Sequence, residues 1–175
     1  MPRLFVALRP PADVAAALAA LAGPVEGARW LRESHLHVTL QFLGHLESAA
    51  PVEAALRGVT GPPVQVDLDR RAAYPGPERA RVLVAEGPPG AALVALQRRV
   101  VAALAGVRPP EARPFRPHVT LARLKTPAAA AVRAWLTGPP PVQTFEAREV
   151  VLYESRPGPQ GSAYVPLAVY ALGSP

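Results

Sequence analysis

The sequence predicts a duplicated, two-lobed domain of mixed strands and helices, on three observations. Apolar residues alternate with period two in some segments and recur at helical spacing in others, and the two patterns take turns along 175 residues. The order strand, helix, strand, helix, strand is written twice. The tetrad His-Val-Thr-Leu stands in the second strand of each half, and its histidines, His37 and His118, lie 81 positions apart, close to half the chain.

The elements follow in order. Residues 3 to 8 read as a strand, and an alanine-rich helix follows Pro10 and Pro11 with Val14, Leu18 and Leu21 on one face. From 36 to 42 alternation is strict, with Leu36, Val38, Leu40 and Phe42 on one side and His37, Thr39 and Gln41 on the other. Gly44 ends this strand. Ser48 can cap a helix through Val52, Leu56 and Val59, and after Gly61, Pro62 and Pro63 a strand runs through Val64, Val66 and Leu68. The pattern then restarts: a strand at 81 to 85, a helix at 90 to 105 with Leu93, Leu96, Val100 and Leu104 inward, a strand at 115 to 122 and a helix at 128 to 136. Strands at 148 to 153 and 164 to 171, joined by a polar loop with Gly158 and Gly161, complete the chain. Residues 1–175 are thus expected to form one two-lobed domain, with pseudo-repeats at about 3–69 and 81–154 and a final strand at about 164–171.

Half of the residues are apolar and 18% are charged, enough to bury a core without a partner. The apolar runs fall short of the roughly 20 residues that cross a bilayer. The N-terminus has no signal-peptide pattern and reads as the first strand of a cytoplasmic protein. Absence of cysteine excludes disulfides, thiolate nucleophiles and sulfur-bound zinc. The net charge of +6 rests on arginine, since Lys125 is the only lysine among nineteen basic residues. Guanidinium forks suit phosphate oxygens and a positive field attracts polyanions, so a nucleotide or nucleic acid is an expected partner. An Ala-, Arg- and Pro-rich proteome would yield the same arginine excess without functional meaning. No glycine-rich dinucleotide loop or Walker loop follows any strand, which disfavours doubly wound nucleotide folds.

The repeated tetrad carries the chemistry. Residues two apart on a strand share a face, so each imidazole stands beside a threonine hydroxyl while valine and leucine anchor the strand. With six threonines in 175 positions, a histidine meets one two places on by chance about once in 30, which makes two such pairs in matching elements hard to ascribe to accident. Phosphodiester hydrolysis needs a base for water, an acid for the departing oxygen and donors for the non-bridging oxygens. Two histidines and two threonines facing one cleft supply all of these, and imidazole titrates near neutrality.

Residues 3–8, Trp30, 36–44 with His37-Val38-Thr39-Leu40, 115–123 with His118-Val119-Thr120-Leu121, and Leu152-Tyr153-Glu154-Ser155 before Gly161 and Tyr164 resemble the prokaryotic RNA 2′,3′-cyclic phosphodiesterases, first described as 2′-5′ RNA ligases. The resemblance runs over nearly the whole chain. It implies a bilobal α+β fold, with two antiparallel β-sheets lining a central cleft and helices packed on the outer faces, and neither metal nor organic cofactor. It implies His37 as proton donor to the leaving 3′ oxygen, His118 as the base activating water, a 2′-phosphomonoester product, and Thr39 and Thr120 as phosphate-binding residues. Arg123 matches the family's frequent arginine after the second motif. Strand parity speaks differently, because Arg116 shares the parity of His118 and Arg123 does not, so Arg116 is held as a second candidate unless a bulge intervenes.

Other constellations are weaker. His35, His37 and His45 lie close in sequence, but no carboxylate shares their strand and the second half has no counterpart to the extra rings, so zinc is disfavoured. Tyr153, Ser155 and Tyr164 suit base contacts, although sheet packing explains such tyrosines more simply. Asp67 and Asp69 read as a solvated charge cluster beside Arg70 and Arg71. The expected protein is a cytoplasmic monomer acting on RNA with a 2′,3′-cyclic phosphate terminus; reversible 2′-5′ RNA ligation and a non-catalytic RNA-binding module are the alternatives.

Overall fold

The computed structural model describes residues 1–173. Among them, fourteen helices and strands follow one another along the chain: β1 (Arg3–Leu8), α1 (Ala12–Ala19), β2 (Ala28–Trp30), β3 (Val38–His45), α2 (Ala50–Leu56), β4 (Val64–Leu68), β5 (Arg70–Tyr74), β6 (Val82–Glu86), α3 (Ala91–Ala103), β7 (His118–Leu124), α4 (Ala129–Leu136), β8 (Gln143–Ala147), β9 (Glu149–Arg156) and β10 (Ala163–Ala171). Every strand pairing is antiparallel, as the α+β reading requires. The main sheet runs β10-β9-β1-β3-β7-β6-β5 with β2 also on β7, while β4 and β8 form a separate pair.

One junction organises the molecule. β3 and β7 meet through a single residue pair, Val38 opposite Val119. On one side of it lie β10, β9, β1 and β3, and on the other β7, β6, β5 and β2, so the main sheet is two four-stranded halves hinged at that point. Each half borrows from afar: β2 belongs to the sheet of the second motif, and β9 and β10 to that of the first.

The helices pack on the sheets, α3 against β3 and β4, α1 against β8 and α4 against β5, with α2 beside α3. Leu93, Leu96 and Val100 of α3 are fully or almost fully buried, as are Val52 and Leu56 of α2 and Leu18 of α1. Each such side chain contributes about 1.5–3 kcal/mol of burial. The cap expected at Ser48 is displaced: the N-cap of α2 is Ala49, without a side-chain cap bond, and Ser48 Oγ, one residue earlier, accepts the Ala50 N–H at 3.1 Å. Among the described residues no helix is long and apolar enough to cross a membrane.

The strict alternation expected from 36 to 42 does not hold. Between Val6 opposite Gln41 and Ala7 opposite Thr39, the register skips Leu40, and a second skip passes over Leu43. An extra residue in one strand reverses the facing of everything beyond it. Gln41 is therefore buried at 3% exposure, while Phe42, expected inward, is 47% exposed. β7 bulges at the corresponding place, skipping Leu121 between Thr120 opposite Val84 and Ala122 opposite Leu83.

Three strands were not foreseen. β2 has only three residues, too few to display a period, and exists because β7 offers it an edge. β5, Arg70–Tyr74, contains no β-branched residue and is held by tertiary contacts, including the Arg71 guanidinium 4.8 Å from the Trp135 ring centre. β8 pairs with β4 over five residues.

Candidate active site

The antiparallel pair Val38 and Val119 dictates what surrounds it. His37 and Thr39 flank Val38, and His118 and Thr120 flank Val119, so all four stand at this junction on the face opposite the buried valines. The two rings are near enough that His118 contributes to lowering the pKa of His37. All four residues line a single open cleft of about 350 Å³.

Both rings are oriented in the same way. His37 Nδ1 lies 2.8 Å from the His35 carbonyl oxygen, and His118 Nδ1 lies 2.7 Å from that of Arg116. An Nδ1–H donated to a carbonyl fixes the tautomer and leaves Nε2 without that proton. The surroundings then diverge. His37 sits among aromatic rings, with Phe5 at 4.8 Å and Tyr164 edge-on at 5.2 Å. Burial, reinforced by His118 and Arg123, lowers its pKa to about 4 against the pull of the His35 carbonyl. His118 is met edge-on by Tyr74 at 5.5 Å. The Tyr74 hydroxyl donates to Glu86, the strand partner of His118, and burial with that carboxylate pushes the phenol up to about 12.

The bulge at Leu121 resolves the arginine question. Beyond it, Arg123 turns onto the face of His118 and Thr120 and lines the cleft, where its Nη2 lies 3.5 Å from the Tyr164 hydroxyl. Arg116, favoured by regular parity, is not among the cleft-lining residues; its side chain lies toward Tyr74 and its carbonyl holds His118. Arg3 and Arg29 join Arg123 on the wall, and no carboxylate is found among the described lining residues. The cleft is thus electropositive.

The 157–162 loop closes one side. Arg29 Nη1 donates to the Gln160 carbonyl at 2.7 Å and Arg32 Nη2 to the Gln160 side-chain oxygen at 2.9 Å. Gly161 has φ +102°, and a β-carbon there would overlap the Arg29 guanidinium. The positive φ favours glycine there, and any larger residue would displace the flexible guanidinium.

Ser155 and Tyr164 line the cleft, whereas Tyr153 is buried at 4% exposure and stacks on Phe5. His45 ends β3 opposite Arg3 and His35 packs 5.0 Å from Tyr164; no cluster of three His, Asp or Glu suited to a metal occurs among the described residues. Reasoning from sequence missed Arg3, Arg29 and Phe42. The last was within reach, because the bulge needed to bring Arg123 into the site falls on a residue repeated in the first motif, and Phe42 occupies the position of Arg123 there.

A family model described as the 2′-5′ RNA ligase superfamily matches residues 10–159 and so includes both motifs. The chain belongs to the 2′-5′ RNA ligase superfamily. Within the wider set of relatives, the RNA 2′,3′-cyclic phosphodiesterase of Aquifex aeolicus is 30% identical over 105 residues, and that of Aeropyrum pernix 31% identical over 99 residues. The match spans 56% of the length of each, and 56% and 54% of this chain. Among solved structures, E. coli LigT in apo form superposes with TM-score 0.80 at 28% identity over 99% of both chains. LigT complexed with 3′-AMP gives TM-score 0.80 at 28% identity, covering 99% of this chain and all of LigT. TT0787 of Thermus thermophilus gives TM-score 0.80 at 28% identity over 97% of both chains. The likeness in fold therefore extends over essentially the whole chain.

Proposed function

We propose that the cleft hydrolyses RNA 2′,3′-cyclic phosphate ends to 2′-phosphomonoesters by histidine general acid–base catalysis. The reading rests on one observation: His37, Thr39, His118 and Thr120 line one opening at the Val38–Val119 junction. Thr39 and Thr120 donate to the non-bridging oxygens, and Arg123 adds a fixed positive charge where the pentavalent phosphorus accumulates negative charge.

In the step, water attacks phosphorus as His118 Nε2 takes its proton. The bond from phosphorus to the 3′ oxygen breaks, and that oxygen takes the proton held by His37 Nε2. Burial leaves His37 neutral in the free protein at pH 7. The bound phosphodiester brings one negative charge beside the ring, which favours imidazolium and readies it as donor. Exchange with solvent restores both rings after product leaves. The relatives named as RNA 2′,3′-cyclic phosphodiesterases and the nucleotide complexes of LigT support this substrate class. A 5′ hydroxyl in place of water would run the same chemistry toward a 2′-5′ linkage.

The test is incubation of purified protein with an oligoribonucleotide ending in a 2′,3′-cyclic phosphate, in EDTA, with the product isomer identified by phosphorus NMR. Conversion to a 2′-phosphomonoester is expected. An untouched substrate, or a 3′-phosphate product, overturns the assignment.

A further inference from the structure

Phe42 is shared by two cavities. It walls the catalytic cleft, and on its other side it borders a second hollow of about 460 Å³ lined by Gly44, Arg108, Pro109, Pro110 and Glu111. The bulge at Leu40 makes this possible by turning the ring out of the core, where 47% of the residue stays exposed. In the second motif the same position is Arg123, so the two sides of the cleft differ in kind: a fixed cation on one, an aromatic face on the other.

We propose that the hollow beyond Phe42 is a subsite for the nucleotide 5′ to the cyclic-phosphate end, making the preferred substrate an oligoribonucleotide and not a mononucleotide. This rests on the function proposed above. The cyclic phosphate terminates the 3′ end of a chain, so further RNA leaves the reacting phosphorus in one direction only. The Phe42 face stacks the penultimate base, a sequence-tolerant contact. Arg108, exposed and in no ion pair among the described residues, lies over Gly44 and meets the adjoining phosphate. Its guanidinium would stand 3.7 Å from a β-carbon at Gly44, an ordinary contact; the glycine is favoured there by its φ of +70°. Glu111 is the one carboxylate on the rim among the described residues, and Arg113 Nη2 holds it at 3.2 Å.

The experiment compares kcat/KM for a 2′,3′-cyclic nucleoside monophosphate with that for a tetranucleotide bearing the same end, in wild type, Arg108→Ala and Phe42→Leu. Wild type should favour the tetranucleotide. Phe42→Leu, which keeps bulk without a π face, should cut that preference by at least about fivefold. Arg108→Ala should leave mononucleotide turnover unchanged and reduce the salt slope of tetranucleotide binding by about 0.7. Equal wild-type kcat/KM for both substrates, or a preference unchanged in both variants, overturns the subsite. Should neither substrate turn over, the proposed function fails instead. The subsite is then judged by anisotropy of a labelled tetranucleotide, where weaker binding by Arg108→Ala supports it and equal binding refutes it.

Discussion

Replacing His37 by glutamine should flatten the acid side of the protein's stability profile. The ring's pKa is about 4 in the folded chain against 6.5 for the free side chain. Unfolding between those values takes up a proton that the native state refuses, so native stability rises with pH across the window and is lost as pH falls. The gap of about 2.5 units corresponds, at 1.36 kcal/mol each, to about 3 kcal/mol in full. About 2 kcal/mol of it should be gone by pH 5 and nearly all by pH 4. These are upper figures, because the cleft side of the ring meets water. Urea unfolding of wild type and His37→Gln at pH 7, 5 and 4 measures the difference, and titration of the ring's carbon-bound protons by NMR gives the pKa directly. Parallel stability profiles, or a ring pKa above 6, would refute the burial argument.

Three further outcomes follow from neighbouring contacts. Arg123→Gln removes a positive charge that lowers His37, so the His37 pKa should rise and substrate KM increase; an NMR titration showing no rise contradicts the placement. Gly161→Ala should drive Arg29 from the Gln160 carbonyl and loosen the 157–162 loop, seen as faster amide exchange there; unchanged protection would show that the contact is dispensable. The Gln41 amide is buried without a partner among the described residues, so Gln41→Leu should hold or raise stability by about 1 kcal/mol; a loss above that in urea unfolding would indicate a hydrogen bond to this amide.

What could be read from the chain, and what could not, divides along a physical line. Helices with a one-sided apolar stripe announced themselves: Leu93, Leu96 and Val100 are buried as their spacing implied. So did the twin tetrads, because alternation around His37 and His118 is local. The bulges are different in origin. They arise where β3 and β7 are matched against β1 and β6, and nothing within Leu40 or Leu121 records that pairing. Hence Phe42 was assigned to the wrong face and Arg116 set against Arg123 by parity alone. β2 was illegible for a related reason, since three residues carry no period and the strand exists only on its neighbour's edge. The repetition held a clue, because a bulge invoked to admit Arg123 applies equally to the first tetrad.

The central claim is that the two tetrads act as one unit on one phosphorus. Single-turnover opening of a cyclic-phosphate oligoribonucleotide by His37→Ala, His118→Ala and the double variant tests it most directly. Each single variant should lose about 10²-fold or more, with the double within about tenfold of the worse single. Losses that multiply in the double, or either single variant within about tenfold of wild type, would contradict it.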